Sequence, residues 1–314
     1  MFEGMFEIFN EEKKEDSPRE EANFRPSGQQ GNLFVLSIGG SVLMDGKPNS
    51  EAIALLAGCL NEVIRQGTKL VLVVGGGKVA RDYVNAAKEL GANNFELDEL
   101  GIRITRANAS LLIPAIENSF PMVLCDIKKA KEILSQGKTP VFGGLMPGFT
   151  TDAVAALLAE YLNATFVNLS NVDGIFTADP AVYENAKMYS EISYGKLLEI
   201  LTSCSMKPCQ NLIVDLPAAM ILKRSNLTAF FLNGRNFENL KSALQGSPFK
   251  GTIVKPESGE LLQGEEDEQS AAEETEIAMP KRRRVLKRKP VKKKKPSRRH
   301  EEDPRQIDPY DVKF

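Results

Sequence analysis

The 314-residue chain holds a single histidine, His300, and only four cysteines, Cys59, Cys125, Cys204 and Cys209, none of them in a Cys-x-x-Cys pair. Because His300 stands in a charged tail, nucleophilic catalysis by a Ser-His or Cys-His pair is excluded from the rest of the chain. The same scarcity leaves Cys204 and Cys209 without further ligands for a metal, so they read as free thiols. Scattered thiols build no disulfide framework, and a reducing cytoplasm is the expected setting. No apolar run approaches the roughly 18 to 20 residues of a membrane span. The opening MFEGMFEIFNEEKKED has neither a basic start nor a long apolar stretch, so secretion and membrane insertion are not expected. No repeat of solenoid period is visible.

What the chain does have is polarised. Lys281 to Arg299 carries thirteen Lys and Arg and no acid, so the formal net charge of -2 becomes -15 once that run is set aside. The acids gather at Glu3 to Glu21 and at Glu257 to Glu276. Like-charged blocks with few apolar residues cannot offset the entropy of ordering. The reading is therefore an acidic N-terminal tail over 1–31, a folded domain over 32–256, and an acidic-then-basic tail over 257–314. With 42% hydrophobic residues the chain can bury a sizeable core.

Within 32–256, β-branched runs alternate with helical patterns. FVLSI (Phe34 to Ile38) meets Gly39 and Gly40, LVLVV (Leu70 to Val74) meets Gly75 to Gly77, and PVF (Pro140 to Phe142) meets Gly143 and Gly144. FVNLS and TAFFL supply further strands. Near-continuous apolar strands are buried on both faces, which predicts a largely parallel sheet covered by helices. The fold class is α/β, a three-layer α/β/α sandwich with a largely parallel central sheet. Helices are expected from a Ser50 cap to Gln66, from Lys78 to Leu90, across TTDAVAALLAEYL, and across DLPAAMILKRS.

A glycine junction at the carboxyl end of a parallel strand lets backbone N–H groups face a ligand with no Cβ in the way. One junction serves equally as a tight turn; three on one sheet share an edge and suit a polyphosphate. Lys78, Arg81, Arg103 and Arg106 supply cations nearby, or else belong to solvated helix faces. Phosphoryl transfer asks mainly for positioning and charge neutralisation, which this mixture provides. The Walker pattern fails at Leu72, where it needs glycine, and at Val79, where it needs Ser or Thr. The dinucleotide fingerprint is half matched by Gly75-x-Gly77-x-x-Ala80, but Asp98 sits in the polar segment NNFELDELG rather than at a strand end.

GGSVL, VVGGGKVAR, GIRITRANA, PGFTTDAVAALLAE and NVDGIFTADP, in that order and spacing, resemble the amino-acid-kinase fold family and, within it, the archaeal-type uridylate kinases. The resemblance covers Phe34 to Pro256. It implies transfer of the ATP γ-phosphate to UMP with Mg²⁺, by a homohexamer. It implies that Gly40, Ser41, Gly77 and Arg81 meet the ATP phosphates, and that Ser170, Asn171, Phe176 and Asp179 line the adenosine pocket. UMP would be held by Gly76, Asp98 and the run Leu145, Met146, Pro147, Gly148, Phe149, Thr150 and Thr151. Lys78 and Asp215 take the catalytic roles, and no protein metal site is implied.

The chain departs from the family in several places. Ser37 stands where many amino-acid kinases carry a lysine, one that archaeal-type uridylate kinases also lack, and Lys78 is the substitute cation. CSMKPCQNLIVDLPAAM replaces a segment rich in Gly and Ser, and Asp215 either organises the site or caps the helix before Pro217. Phe176 and Phe149 stand where Tyr and His are common, which keeps stacking and removes a hydrogen bond. Two rival readings remain at this stage. One is a nucleotide-binding sensor or scaffold that has lost catalysis; the other is a kinase of this fold with a carboxylate, carbamate or isoprenoid phosphate acceptor. Lys281 to Arg299 would bind nucleic acid or another polyanion without sequence preference, or fold back onto the acidic block.

Overall fold

The computed structural model describes residues 32–44, 46–178, 180, 185–205 and 214–256, with no side chain described for 203–205. Asp179, Cys209 and both tails lie outside the described residues. In chain order the strands are β1 (Leu33–Ile38), β2 (Lys69–Val74), β3 (Val141–Phe142), β4 (Thr165–Ser170), β5 (Glu191–Ser193), β6 (Ala229–Asn233) and β7 (Thr252–Lys255). The helices are α1 (Gly40–Leu43), α2 (Ser50–Arg65), α3 (Gly77–Glu89), α4 (Asn94–Leu112), α5 (Lys129–Ser135), α6 (Thr151–Leu162), α7 (Tyr194–Ser205), α8 (Leu216–Arg224) and α9 (Phe237–Leu244).

The strands form one sheet in the order β3-β2-β1-β4-β6-β7-β5. All neighbours are parallel except β6 and β7. The expected α/β sandwich with a largely parallel sheet is therefore what forms. Its two cores follow from strand parity, since alternate side chains leave opposite faces. Val35, Val71, Val73, Phe142, Phe166 and Phe231 pack on one face with α6, α7 and α8. Leu36, Ile38, Leu70, Leu72, Val167 and Leu169 pack on the other with α2 and α9. Each such fully buried side chain contributes roughly 1.5–3 kcal/mol.

One local expectation shifts. Asn49, rather than Ser50, caps α2, its Oδ1 accepting from the backbone N–H groups of Glu51 and Ala52 at 3.1 Å each. The polar segment around Asp98 is the first turns of α4, started by an Asn93–Glu96 capping box. Strand order reverses at β1: β2 and β3 lie to one side of it, β4 and β6 to the other. In open α/β sheets a ligand crevice forms at the carboxyl ends of the strands flanking such a switch, here β1 and β4.

Candidate active site

Three strand exits meet at that switch. Gly39 N–H donates to the Leu169 carbonyl at 2.8 Å, and Gly75 N–H to the Ile38 carbonyl at 2.9 Å. The β1 and β2 junctions then touch so closely that a Cβ on Gly40 would lie 2.1 Å from the Gly77 nitrogen. Gly77 also has φ +63°, a left-handed conformation that other residues seldom adopt. Neither position tolerates a side chain, and the result is a backbone cradle bordered by the start of α3. Gly76 lies at the N-terminus of α3, with its carbonyl receiving the Asn108 amide at 3.1 Å.

A third loop, after β3, is fastened to α4. Thr105 Oγ1 accepts from Gly144 N–H at 2.7 Å, and Arg106 donates through Nε and Nη2 to the Gly144 and Leu145 carbonyls at 3.0 and 3.3 Å. Asp98 accepts from Gly148 N–H at 2.8 Å. Asp98 and Gly148 of the run from Leu145 to Thr151 are thus hydrogen-bonded, two of the positions that the resemblance groups. Arg106, left open by the sequence between a nearby cation and a solvated helix face, holds the loop by its carbonyls. Met146 and Phe149 on that loop are 48% and 40% exposed, leaving apolar surface for a planar base.

Thr150 caps α6, and its hydroxyl also donates to Asp215 Oδ2. Asp215 in turn caps α8 through Oδ1, which accepts from Ala218 N–H at 2.7 Å. One carboxylate oxygen of Asp215 thus caps α8 while the other accepts from Thr150.

One site residue escaped the sequence reading. Asp152, in the first turn of α6, has an Oδ1 that accepts from Ser37 Oγ at 2.5 Å and from Asn168 Nδ2 at 3.1 Å. Ser37 and Asn168 are register partners on β1 and β4. Burial pushes the Asp152 carboxyl up to about 6, Asp215 nearby adding to the rise and the Ser37 and Asn168 hydrogen bonds opposing it. A signal existed: Ser37 and Asn168 are polar interruptions on the same face of two otherwise apolar strands.

Arg81 is exposed on α3 and makes no ion pair among the described residues. Lys78, the proposed catalytic cation, pairs with Asp82 at 2.9 Å on the surface of α3 and is not drawn into the Asp152–Asp215 cluster. Ser170 ends β4, its hydroxyl accepting from Val172 N–H at 3.2 Å, and Asn171 follows exposed at the same sheet edge. Phe176 bridges to Met188 and is half-buried.

Residues 32–233 match the amino acid kinase family. A protein named uridylate kinase from Thermococcus sibiricus is 42% identical over 225 residues, which is 71% of this chain and 99% of that one. Another from Archaeoglobus fulgidus is 42% identical over 221 residues, 70% of this chain and 98% of its own length. The crystal structure of uridylate kinase from Archaeoglobus fulgidus superposes with a TM-score of 0.63 at 40% identity, covering 70% of this chain and 99% of that one. The UMP kinase structure from Bacillus anthracis, at 22% identity and a TM-score of 0.63, shares the fold. With its glycine cradle at the switch point and this similarity along the relatives' whole length, the chain belongs to the amino acid kinase family, alongside the archaeal uridylate kinases.

Proposed function

We propose that the protein is a UMP kinase, transferring the γ-phosphate of ATP to UMP to give ADP and UDP in pyrimidine nucleotide biosynthesis. The observation that carries this reading is the side-chain-free contact of Gly40 with Gly76 and Gly77 at the switch point. It lies in a chain 42% identical to a protein named uridylate kinase over 99% of that protein's length. In this reading Gly40, Ser41, Gly77 and Arg81 receive the ATP phosphates. Ser170, Asn171, Phe176 and Asp179 line the adenosine pocket, and Gly76, Asp98 and Leu145 to Thr151 hold UMP.

The acceptor in such a transfer is a phosphate oxygen, already largely anionic at neutral pH because its second pKa is about 6. No general base is required, which fits a site without histidine. The remaining tasks are alignment and charge neutralisation. Backbone N–H groups of the cradle and Arg81 meet negative oxygens, while Asp215 fixes the Thr150 hydroxyl at the acceptor loop. The Lys78–Asp82 pair is exposed and worth little, so the Lys78 ammonium is free to turn to the transferring group from its place beside Gly77.

Magnesium enters with ATP and, when bound, neutralises the β- and γ-phosphate oxygens. Asp152 and Asp215 are hard oxygen donors of the kind it accepts directly or through water. Among the described residues no three His, Cys, Asp or Glu side chains gather into a group that could hold an ion.

The sensor reading is not favoured, since the relatives that match nearly along their whole length are named uridylate kinase. Assembly as a homohexamer is proposed from the family, with the exposed Tyr83, Leu90 and Phe95 of the α3–α4 face as support. A cytoplasmic setting is proposed from the cysteine pattern; among the described residues no helix is long and apolar enough to cross a membrane. A kinase domain over 32–256 with two charged tails completes the proposal, the basic run contacting nucleic acid or another polyanion. The test is ADP release from Mg-ATP with UMP, CMP, other monophosphates or no acceptor. Turnover fastest with UMP is expected; equal turnover without acceptor would refute it.

A further inference from the structure

The loop leaving β4 is fastened from its far side by residues that carry no role so far. Asn233, the last residue of β6, donates from Nδ2 to Asp173 Oδ1 at 2.9 Å, and its own Oδ1 accepts from Arg235 N–H at 3.0 Å. Arg235 Nη2 reaches across to the Ser41 carbonyl at 2.8 Å. Asp173 Oδ2 takes Lys250 Nζ at 2.6 Å. Between them, Gly234 N–H donates to the Ser170 carbonyl at 2.8 Å, and a Cβ on Gly234 would lie 2.7 Å from Val42. The Lys250 and Asn233 hydrogen bonds hold the Asp173 carboxyl below the usual range, so it is ionised under working conditions. Further along, the fully buried Thr252 accepts from Ile175 N–H at 2.8 Å and donates to the Tyr189 carbonyl at 2.5 Å.

The Asn233 amide and the Arg235 guanidinium together thus tie the exit of β4 to the exit of β1. Backbone pairing ends at Gly39 with Leu169 and at Gly234 with Ser170; past it, the phosphate-facing turn at 40–41 and the adenosine-facing segment at 171–176 are no longer held apart by strand pairing. Left loose, both would have to be ordered by the ligand, and that entropy would weaken its binding.

We propose that Asn233 and Asp173 are positioning residues for the donor nucleotide: the chain Asp173–Asn233–Arg235–Ser41 presets the span between phosphate turn and adenosine segment. The inference rests on the assignment of those two segments to ATP. The residues on the proposed UMP side, Asp98, Thr105, Arg106 and the 144–151 loop, form a separate set of hydrogen bonds. Loss of the clasp is therefore selective for the donor.

Asn233→Ala removes both bonds. Asn233→Asp keeps the acceptor for Arg235 N–H but sets a second carboxylate against Asp173. The exchange Asn233→Asp with Asp173→Asn rebuilds the pair with the roles reversed. Mg-ATP and UMP affinities are measured separately by calorimetry on the full chain, with steady-state constants and thermal midpoints alongside. A loss of about tenfold in ATP affinity and KM is expected for Asn233→Ala, the worth of roughly one charge-assisted hydrogen bond. A larger loss is expected for Asn233→Asp, with recovery in the exchange variant and UMP affinity within about twofold throughout. Unchanged ATP affinity in both single variants, or equal loss of ATP and UMP affinity, would overturn the clasp. If the wild-type chain binds ATP but uses an acceptor other than UMP, the clasp still stands or falls on the ATP measurements, and only the acceptor assignment fails. A wild-type chain without ATP affinity removes both.

Discussion

Replacing Asp152 by Asn should make the protein more stable at neutral pH and less active. The Asp152 carboxyl is raised from 3.8 to about 6, with burial as the first cause. A shift of about two units corresponds to roughly 3 kcal/mol of unfavourable ionisation, at about 1.4 kcal/mol per unit. The sign follows from proton linkage. Between pH 4 and 6 the folded state keeps a proton that the unfolded chain has released, so this group's contribution is greatest below pH 4. It falls as pH rises to about 6 and is level above that. Asparagine retains an oxygen to accept from Ser37 and Asn168 but never ionises, so Asp152→Asn should exceed wild type by roughly 2–3 kcal/mol at pH 7.5, shrinking toward zero by pH 4. Denaturant titrations of both proteins across that range give the difference directly, other groups cancelling. Turnover should fall, because the carboxylate beside Asp215 is gone. Equal stability at pH 7.5, or a difference that does not shrink on acidification, would refute the reasoning.

Other substitutions separate the parts of the site. Gly40→Ala places a Cβ 2.1 Å from the Gly77 nitrogen, so the cradle must open; ATP affinity by calorimetry should fall by more than tenfold, on the order of 1–3 kcal/mol of backbone strain. Arg106→Met frees the Gly144 and Leu145 carbonyls and should raise the KM for UMP by about tenfold while that for ATP holds, as steady-state kinetics would read. Removing residues 281–299 should abolish salt-dependent binding to an unstructured RNA in a filter assay and leave kinase turnover unchanged.

The glycine junctions were legible because they punctuate strands whose apolar character is continuous; β1, β2, β3, β4 and β6 all fall where the runs of Val, Leu and Phe placed them. The loop from Leu145 to Thr151 and its partner Asp98 could be grouped by the family resemblance, and Asp98 lies in the first turns of α4. Asp152 was missed because its meaning depends on register: only when β1 and β4 pair do Ser37 and Asn168 come together beneath α6. Arg106 stayed open between a phosphate cation and a solvated helix face because its contacts with the Gly144 and Leu145 carbonyls join residues nearly forty positions apart. The Asp173–Asn233–Arg235 clasp joins residues some sixty positions apart, and no local pattern announces it.

The most direct measurement follows the transferred phosphorus itself. ATP labelled at the γ-phosphate, supplied with Mg²⁺ and UMP to the purified chain, should place the label in UDP, with ADP in equal amount. Label appearing only as inorganic phosphate, or in no product while ATP remains bound, would contradict the assignment of this site to phosphoryl transfer onto UMP.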